Sequence, residues 1–314
     1  MTSEIEMSKL LLLLRVGSTT FLIGACGTAP PSSSIPPVAD AGSKEVSPYG
    51  STLSEDAGLK GICASLSPQG TGYRLTTLDA PSLGRFDGVT PTLRAVAWTD
   101  TTGRVFTANR SDASSGFDAE QVSSAPIAEP NARVGISYKG TSILIASGAT
   151  LVAYARAFTG SPWTGPTEAT LETVNAWLRE AAGAVSDPVF GSSGQTLFFL
   201  RSTSTGSYDL CEAAWDDGAG AWARPVVRSS MISADALHRK RPTGVSWDDL
   251  TLFFWDDGRG IERAAVRSSE THEFSGFRDV GNYPEAAPNQ GCTLLFYQGS
   301  DEKGFGVFNT AGKL

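Results

Sequence analysis

Histidine is nearly missing from this chain: of its 314 residues only His238 and His272 are histidines, and only four are cysteines. A serine-histidine-aspartate triad would have to use one of those two, and neither has a nucleophile elbow around it. There is no Cys-x-x-Cys pair and no cysteine beside a histidine, so no metal centre is expected. No glycine-rich phosphate loop follows a strand-like segment, and no cofactor is implied. Positive charge is in deficit as well, with 25 Lys and Arg against 33 Asp and Glu and a net charge of −8. Phosphate backbones need a basic face, so a nucleic-acid partner is disfavoured. The single basic run, His238-Arg239-Lys240-Arg241, has the charge to hold an anionic polymer or lipid headgroup, but it reads more simply as a solvated loop before a strand.

What is present is a repeated pattern. Asp187-Pro188-Val189-Phe190 leads through the turn Gly191-Ser192-Ser193-Gly194 to Thr196-Leu197-Phe198-Phe199, and then to Tyr208-Asp209-Leu210. Arg241-Pro242 leads in the same way to Trp247-Asp248-Asp249, Thr251-Leu252-Phe253-Phe254 and Ile261 to Val266. Tyr283-Pro284 leads to Gly291-Cys292, Leu294-Leu295-Phe296-Tyr297 and Gly304 to Val307. Each copy is a strand, a turn and further strands. Runs such as Leu-Phe-Phe are too short for a helix and read as strands buried on both faces. Weaker copies start at Thr90-Pro91 and Glu129-Pro130, so the prolines at 91, 130, 188, 242 and 284 stand about 48 residues apart on average, a propeller spacing. Thr167 to Ala182 breaks the pattern, with Leu171, Val174, Leu178 and Ala181 at helical spacing. A short helix decorating a connection, or an irregular outer strand, would account for it.

These copies resemble the WD40-like repeat called PD40, also found in TolB-type propellers, whose blades run acidic-Pro, turn, Leu-Tyr-Phe strand, then Gly-Tyr-Asp-Ile. Asp187 to Leu210 is the nearest match, although Gly191-Ser192-Ser193-Gly194 and Ser246-Trp247-Asp248-Asp249 replace the usual turn. The resemblance implies an all-β chain, a single β-propeller of four-stranded antiparallel blades over residues 59–314. Five blades are expected, with an N-terminal strand completing the last; six is the alternative if residues 59–86 form their own.

The N-terminus reads as an export signal rather than a membrane helix: Lys9, the short apolar run Leu10 to Leu14, then small residues before Cys26. Ile23-Gly24-Ala25-Cys26 resembles a bacterial lipobox, which implies a signal peptide over 1–25, cleavage before Cys26 and lipidation of its sulfur. Residues 26–58, with Pro30-Pro31-Ser32-Ser33-Ser34 and Pro36-Pro37, carry too little apolar surface to fold and read as a tether. Gly27 stands where inner-membrane lipoproteins carry aspartate, so the family rule points to the outer membrane, on its periplasmic or surface face.

With Cys26 lipidated, Cys63, Cys211 and Cys292 remain, enough for one bridge in an oxidising compartment. If Cys63 belongs to the closing blade, Cys63 and Cys292 are the candidate pair. In a propeller the residues before the anchor prolines, Thr90, Glu129, Asp187, Arg241 and Tyr283, would ring the channel mouth. Glu129 and Asp187 are therefore the pair a glycoside hydrolase would need, but a carboxylate accepting backbone N–H bonds explains them as well. Asp216-Asp217, Asp248-Asp249 and Asp256-Asp257 read as turns. Most of the seven tryptophans read as packing between blades; Trp247, in a turn, is the exception. The resulting expectation is a monomeric, lipid-anchored binding or scaffold module of the cell envelope that holds an envelope protein or polysaccharide. Glu129, Asp187, Arg241 and Trp247 are the candidate ligand residues, and the balance is against an enzyme.

Overall fold

A computed structural model of the chain describes residue 63 and residues 72–77, 86–92, 94–111, 117–122, 133–191, 193–228, 239–284, 286–292, 294–298 and 304–309. The signal-like segment 1–25, Cys26, the tether to residue 58, and Glu129 lie outside the described residues.

The strands follow in chain order as β1 (Gly72–Thr77), β2 (Phe86–Val89), β3 (Ala95–Thr99), β4 (Val105–Asn109), β5 (Asp118–Gln121), β6 (Val134–Ile136), β7 (Ser142–Ser147) and β8 (Thr150–Ala155). After a 3-10 turn at Glu168–Leu171 and the helix α1 (Glu172–Ala181) come β9 (Val185–Phe190), β10 (Thr196–Ser202), β11 (Tyr208–Asp216), β12 (Ala221–Trp222) and β13 (Val226–Val227). The rest are β14 (Lys240–Val245), β15 (Thr251–Asp256), β16 (Ile261–Val266), β17 (Gly276–Gly281), β18 (Ala287–Pro288), β19 (Leu294–Gln298) and β20 (Gly304–Asn309). They pair antiparallel into successive sheets arranged as a β-propeller: β2 to β5, β6 to β8, β9 to β12 with β13, β14 to β17, and β18 to β20 with β1 at the outer edge. We number these sheets one to five. Four have at least four strands and the second has three. β1 pairs with β20 rather than with the strand that follows it, so residues 72–77 belong to the last sheet.

The apolar runs are explained by what lies on either side of them. In β10, Phe198 packs with Phe254 and Phe277 of the fourth sheet, while Phe199 packs with Leu144 of the second sheet and with α1. In β15, Phe254 faces the third sheet and Phe253 joins Val280, Leu295 and the Cys63 to Cys292 region. Alternate side chains thus enter different inter-sheet layers, and both must be apolar. Burying each phenylalanine stabilises the fold by about 1.5–3 kcal/mol.

The segment that broke the repeat is the helix α1. Leu171, Val174 and Leu178 are fully buried on one face against the layer between the second and third sheets. The adjacent Asn175 completes the edge of a sheet. Its amide donates to the Leu151 carbonyl and accepts from the Leu151 N–H, both at 2.9 Å. β8 is the edge of the three-stranded sheet, and a side-chain amide satisfies the backbone that a fourth strand would otherwise pair.

Candidate functional site

Close approach of the first strands shuts the axis of the propeller. A Cβ at Gly135 would stand 2.7 Å from the Pro188 carbonyl, and one at Gly244 2.9 Å from Ala287, so neighbouring backbones touch there. Arg133, 2% exposed, lies across this centre and donates to the carbonyls of Asp87 and Pro242. The void left among β2, β6, β9, β14 and β18 is about 20 Å³, room for a water and not for a sugar. The Gln290 N–H donates to the Pro91 carbonyl at 3.1 Å and ties the turn after β18 to the turn after β2.

Among the described residues, those singled out from sequence have different partners. Asp187 lies within β9 at a positive φ of 51°, is 4% exposed and is held by Arg239, which also contacts Ser186. Arg241, near the start of β14, bonds Asp257 at 2.9 Å rather than reaching the axis. Trp247 follows the other end of that strand, about 20 Å away at a strand's rise per residue. Glu129 lies outside the described residues. Thr90 also differs from its expected place, because it follows β2 instead of preceding it. Its hydroxyl accepts the Ala95 N–H at 3.1 Å, as Ser137 accepts from Ser142 and Ser246 from Thr251, both at 2.9 Å. The proline at 91 is thus a turn proline, whereas those at 188 and 242 lie inside first strands. Cys63 and Cys292 are joined in a disulfide with Cα atoms 5.0 Å apart, spanning 229 residues of chain.

The first, second and fourth sheets share a second repeat. The residue that leaves the third strand of a sheet is Arg110, Arg156 or Arg267, and its backbone N–H in each case donates back to the turn between the first two strands. Each guanidinium stacks on an aromatic ring seven residues later: Arg110 on Phe117 at 4.6 Å, Arg156 on Trp163 at 4.4 Å, Arg267 on Phe274 at 4.7 Å. Two of these arginines also clamp their sheet to the preceding one. Arg156 donates to the Gly140 carbonyl of its own turn and to Glu120 and Asn109 of the first sheet. Arg267 donates to the Asp249 carbonyl and, at 2.8 Å, to Glu212 of the third sheet.

The third sheet departs from this rule. Its equivalent residue is Trp215, whose N–H donates to the Gln195 carbonyl, and its partner seven residues on is Trp222, edge-on at 5.2 Å. Where a charged clamp would close the seam to the second sheet, a cleft of about 400 Å³ opens. Its walls are Trp215, Trp222 and Phe190 on one side, and Tyr138, Leu144 and Tyr154 on the other. Thr167 and Thr170 of the helical insertion form its floor, and Ser193 to Gln195 its rim. Trp247 joins this face through Tyr138, which meets it edge-on at 4.7 Å and lines both the cleft and the axis.

Behind the rim sits Asp249, 2% exposed at φ 53°. It accepts from Thr196 at 2.9 Å and Ser193 at 3.2 Å, so the fourth sheet fixes the cleft rim from across the next seam. Its second oxygen has no hydrogen-bond partner. Burial pushes this carboxyl up to about 6 against the lowering effect of Thr196, Arg267 and Ser193. The acidic turns behave otherwise. Asp216 and Asp256 accept backbone N–H bonds from the residues two and three further on. At Asp100, burial raises the carboxyl, but bonds from Thr102 and Arg104 overcome it and hold it at about 2. No cluster of three or more metal-ligating side chains occurs among the described residues. Burial pushes the free Cys211 thiol up to about 12, which makes it inert.

Two sequence signals mark this site, the seven-residue Arg-to-aromatic spacing and the Trp-to-Trp pair that replaces it in the third sheet, and repeats anchored on prolines do not expose either. By its fold the chain is a β-propeller. No protein-family profile matches it, and no curated protein does. Similar solved structures include a calcium-binding regucalcin from Agrobacterium tumefaciens, 15% identical, covering 77% of this chain and 76% of that one at a TM-score of 0.42. TolB from Acinetobacter baumannii is 12% identical over 81% of this chain and 65% of its own, with a TM-score of 0.41. A putative 6-phosphogluconolactonase from Bacteroides uniformis is 11% identical over 74% and 69%, with a TM-score of 0.39. These likenesses specify neither a ligand nor a reaction for this chain.

Proposed function

We propose that the chain is an exported lipoprotein, anchored to the outer membrane through Cys26, whose five sheets are the blades of one ring that serves as a binding or scaffold module in the cell envelope. The PD40 and TolB resemblance carries the family reading, and the lipobox-like Ile23-Gly24-Ala25-Cys26 carries the anchor. The Cys63 to Cys292 disulfide favours an oxidising compartment. For binding, the observation that weighs most is the contrast between an axis closed to about 20 Å³ and an aromatic-walled cleft of about 400 Å³. A cleft of that size falls within the range of small-ligand sites, about 300–1,000 Å³. Asp187, one half of the carboxylate pair that hydrolysis would need, is buried in contact with Arg239, which supports binding over catalysis.

The test is expression in a Gram-negative host with mass spectrometry of the mature N-terminus. A diacylated Cys26 in the outer-membrane fraction, converted by Cys26→Ser to a chain lacking lipid, is the expected result. An unprocessed chain in the cytoplasm with reduced Cys63 and Cys292 would overturn the reading. Crosslinked capture from intact envelopes then separates a protein partner from a polysaccharide.

A further inference from the structure

We propose that the cleft between the second and third sheets is a saccharide site, and that Trp215 is the residue that creates it; the inference rests on the binding-module reading and specifies its ligand. At the equivalent place Arg110, Arg156 and Arg267 are all buried, and the latter two reach the preceding sheet. At Trp215 that reach is lost. The neutral ring leaves the adjoining space open, with Trp222 beside it.

The chemistry of the walls then selects the ligand. Trp163, which occupies the place of Trp222 in the second sheet, spends its indole N–H on Thr107 at 3.1 Å and Glu120 at 3.3 Å. The indole N–H groups of Trp215 and Trp222 have no partner among the described residues, and both rings line the cleft. Gln195, exposed at the rim, likewise keeps its amide for solvent or ligand. Lys139 is the one charged residue of the described lining, so no carboxylate there would hold a cation. Aromatic faces flanked by free donors suit a ligand that is flat and apolar on its faces and rich in acceptors at its edge. A pyranose ring has that character, and the volume has room for one or two rings.

The experiment titrates the full-length chain, in detergent, with maltose, cellobiose, chitobiose and arginine amide, following tryptophan fluorescence. Saturable quenching by at least one disaccharide is expected, with no response to arginine amide. Trp215→Arg puts a guanidinium in place of the ring face and should weaken that binding about tenfold or more. If this variant fails to fold, Gln195→Ala decides, with an expected loss of about threefold to tenfold for one hydrogen bond. Absence of quenching by every disaccharide overturns the proposal, as does a response to arginine amide alone. So does a folded Trp215→Arg that binds like the parent, or an unchanged Gln195→Ala where Trp215→Arg does not fold. A chain that is lipidated and exported yet binds no saccharide removes this inference and leaves the proposed function standing, whereas saccharide binding by an unexported chain does the reverse.

Discussion

Two neighbouring seams of the propeller solve the same packing problem in opposite ways. Between the third and fourth sheets, Phe198, Leu200, Phe254 and Phe277 form a continuous apolar layer, and buried polar groups close it above and below. Arg267 spans to Glu212, Asp249 takes bonds from Thr196 and Ser193, and Arg239 contacts Asp187. Between the second and third sheets the apolar layer is borrowed partly from a helix, and the clamp position holds a tryptophan. One seam is specified by buried charge whose loss is costly. The other leaves a concave surface, which a rigid ring can present without the mobility of a long loop.

The comparison breaks most visibly at Arg267. Its guanidinium is fully buried, so Arg267→Ala strands Glu212 with Arg228 alone and should cost about 3–5 kcal/mol in denaturant unfolding. A loss under about 1 kcal/mol would mean the clamp is incidental. Next comes Asp249. Its folded-state carboxyl is raised to about 6 from 3.8, so its contribution is fully present below about 3.8 and is lost as pH rises through 6. That shift corresponds to about 3 kcal/mol. Asp249→Asn should therefore flatten the decline in stability between about pH 4 and 7, read from thermal midpoints across that window. An unchanged slope removes the group from the account.

At the open seam the effects are smaller. Asn175→Ala leaves both the N–H and the carbonyl of Leu151 without their partner and should cost about 2 kcal/mol, with faster hydrogen exchange confined to β8. Trp215→Ala, at a half-buried position with no hydrogen-bonded clamp, should cost about 1 kcal/mol or less, the smallest change of the series. If Trp215→Ala proved as destabilising as Arg267→Ala, the two seams would be alike and the cleft would be a packing element.

Much of this is legible in the sequence because it depends on local pattern. Leu197-Phe198-Phe199 and Leu252-Phe253-Phe254 announce strands buried on both faces, since side-chain period follows directly from backbone geometry, whereas the helical spacing of Leu171, Val174 and Leu178 left a helix and an irregular outer strand both open until the structure showed α1. The weak copy at Pro91 is out of register with the strong ones at Pro188 and Pro242. Pro91 looks like Pro188 in sequence, but Thr90 caps a turn by hydrogen bonding, a role that a proline-anchored alignment cannot see.

The sequence by itself determined the strand-rich repeat, the place where it is interrupted and the acidic turns, since each follows from propensity and spacing over a few residues. Only the tertiary structure decided that the axis is shut, that Arg239 holds Asp187 while Arg241 bonds Asp257, and that Trp215 stands where two other sheets place a clamping arginine. Those facts depend on which strand lies beside which and how closely backbones approach. Contacts between residues far apart in the chain are set by the packing of whole sheets, and no local pattern encodes them.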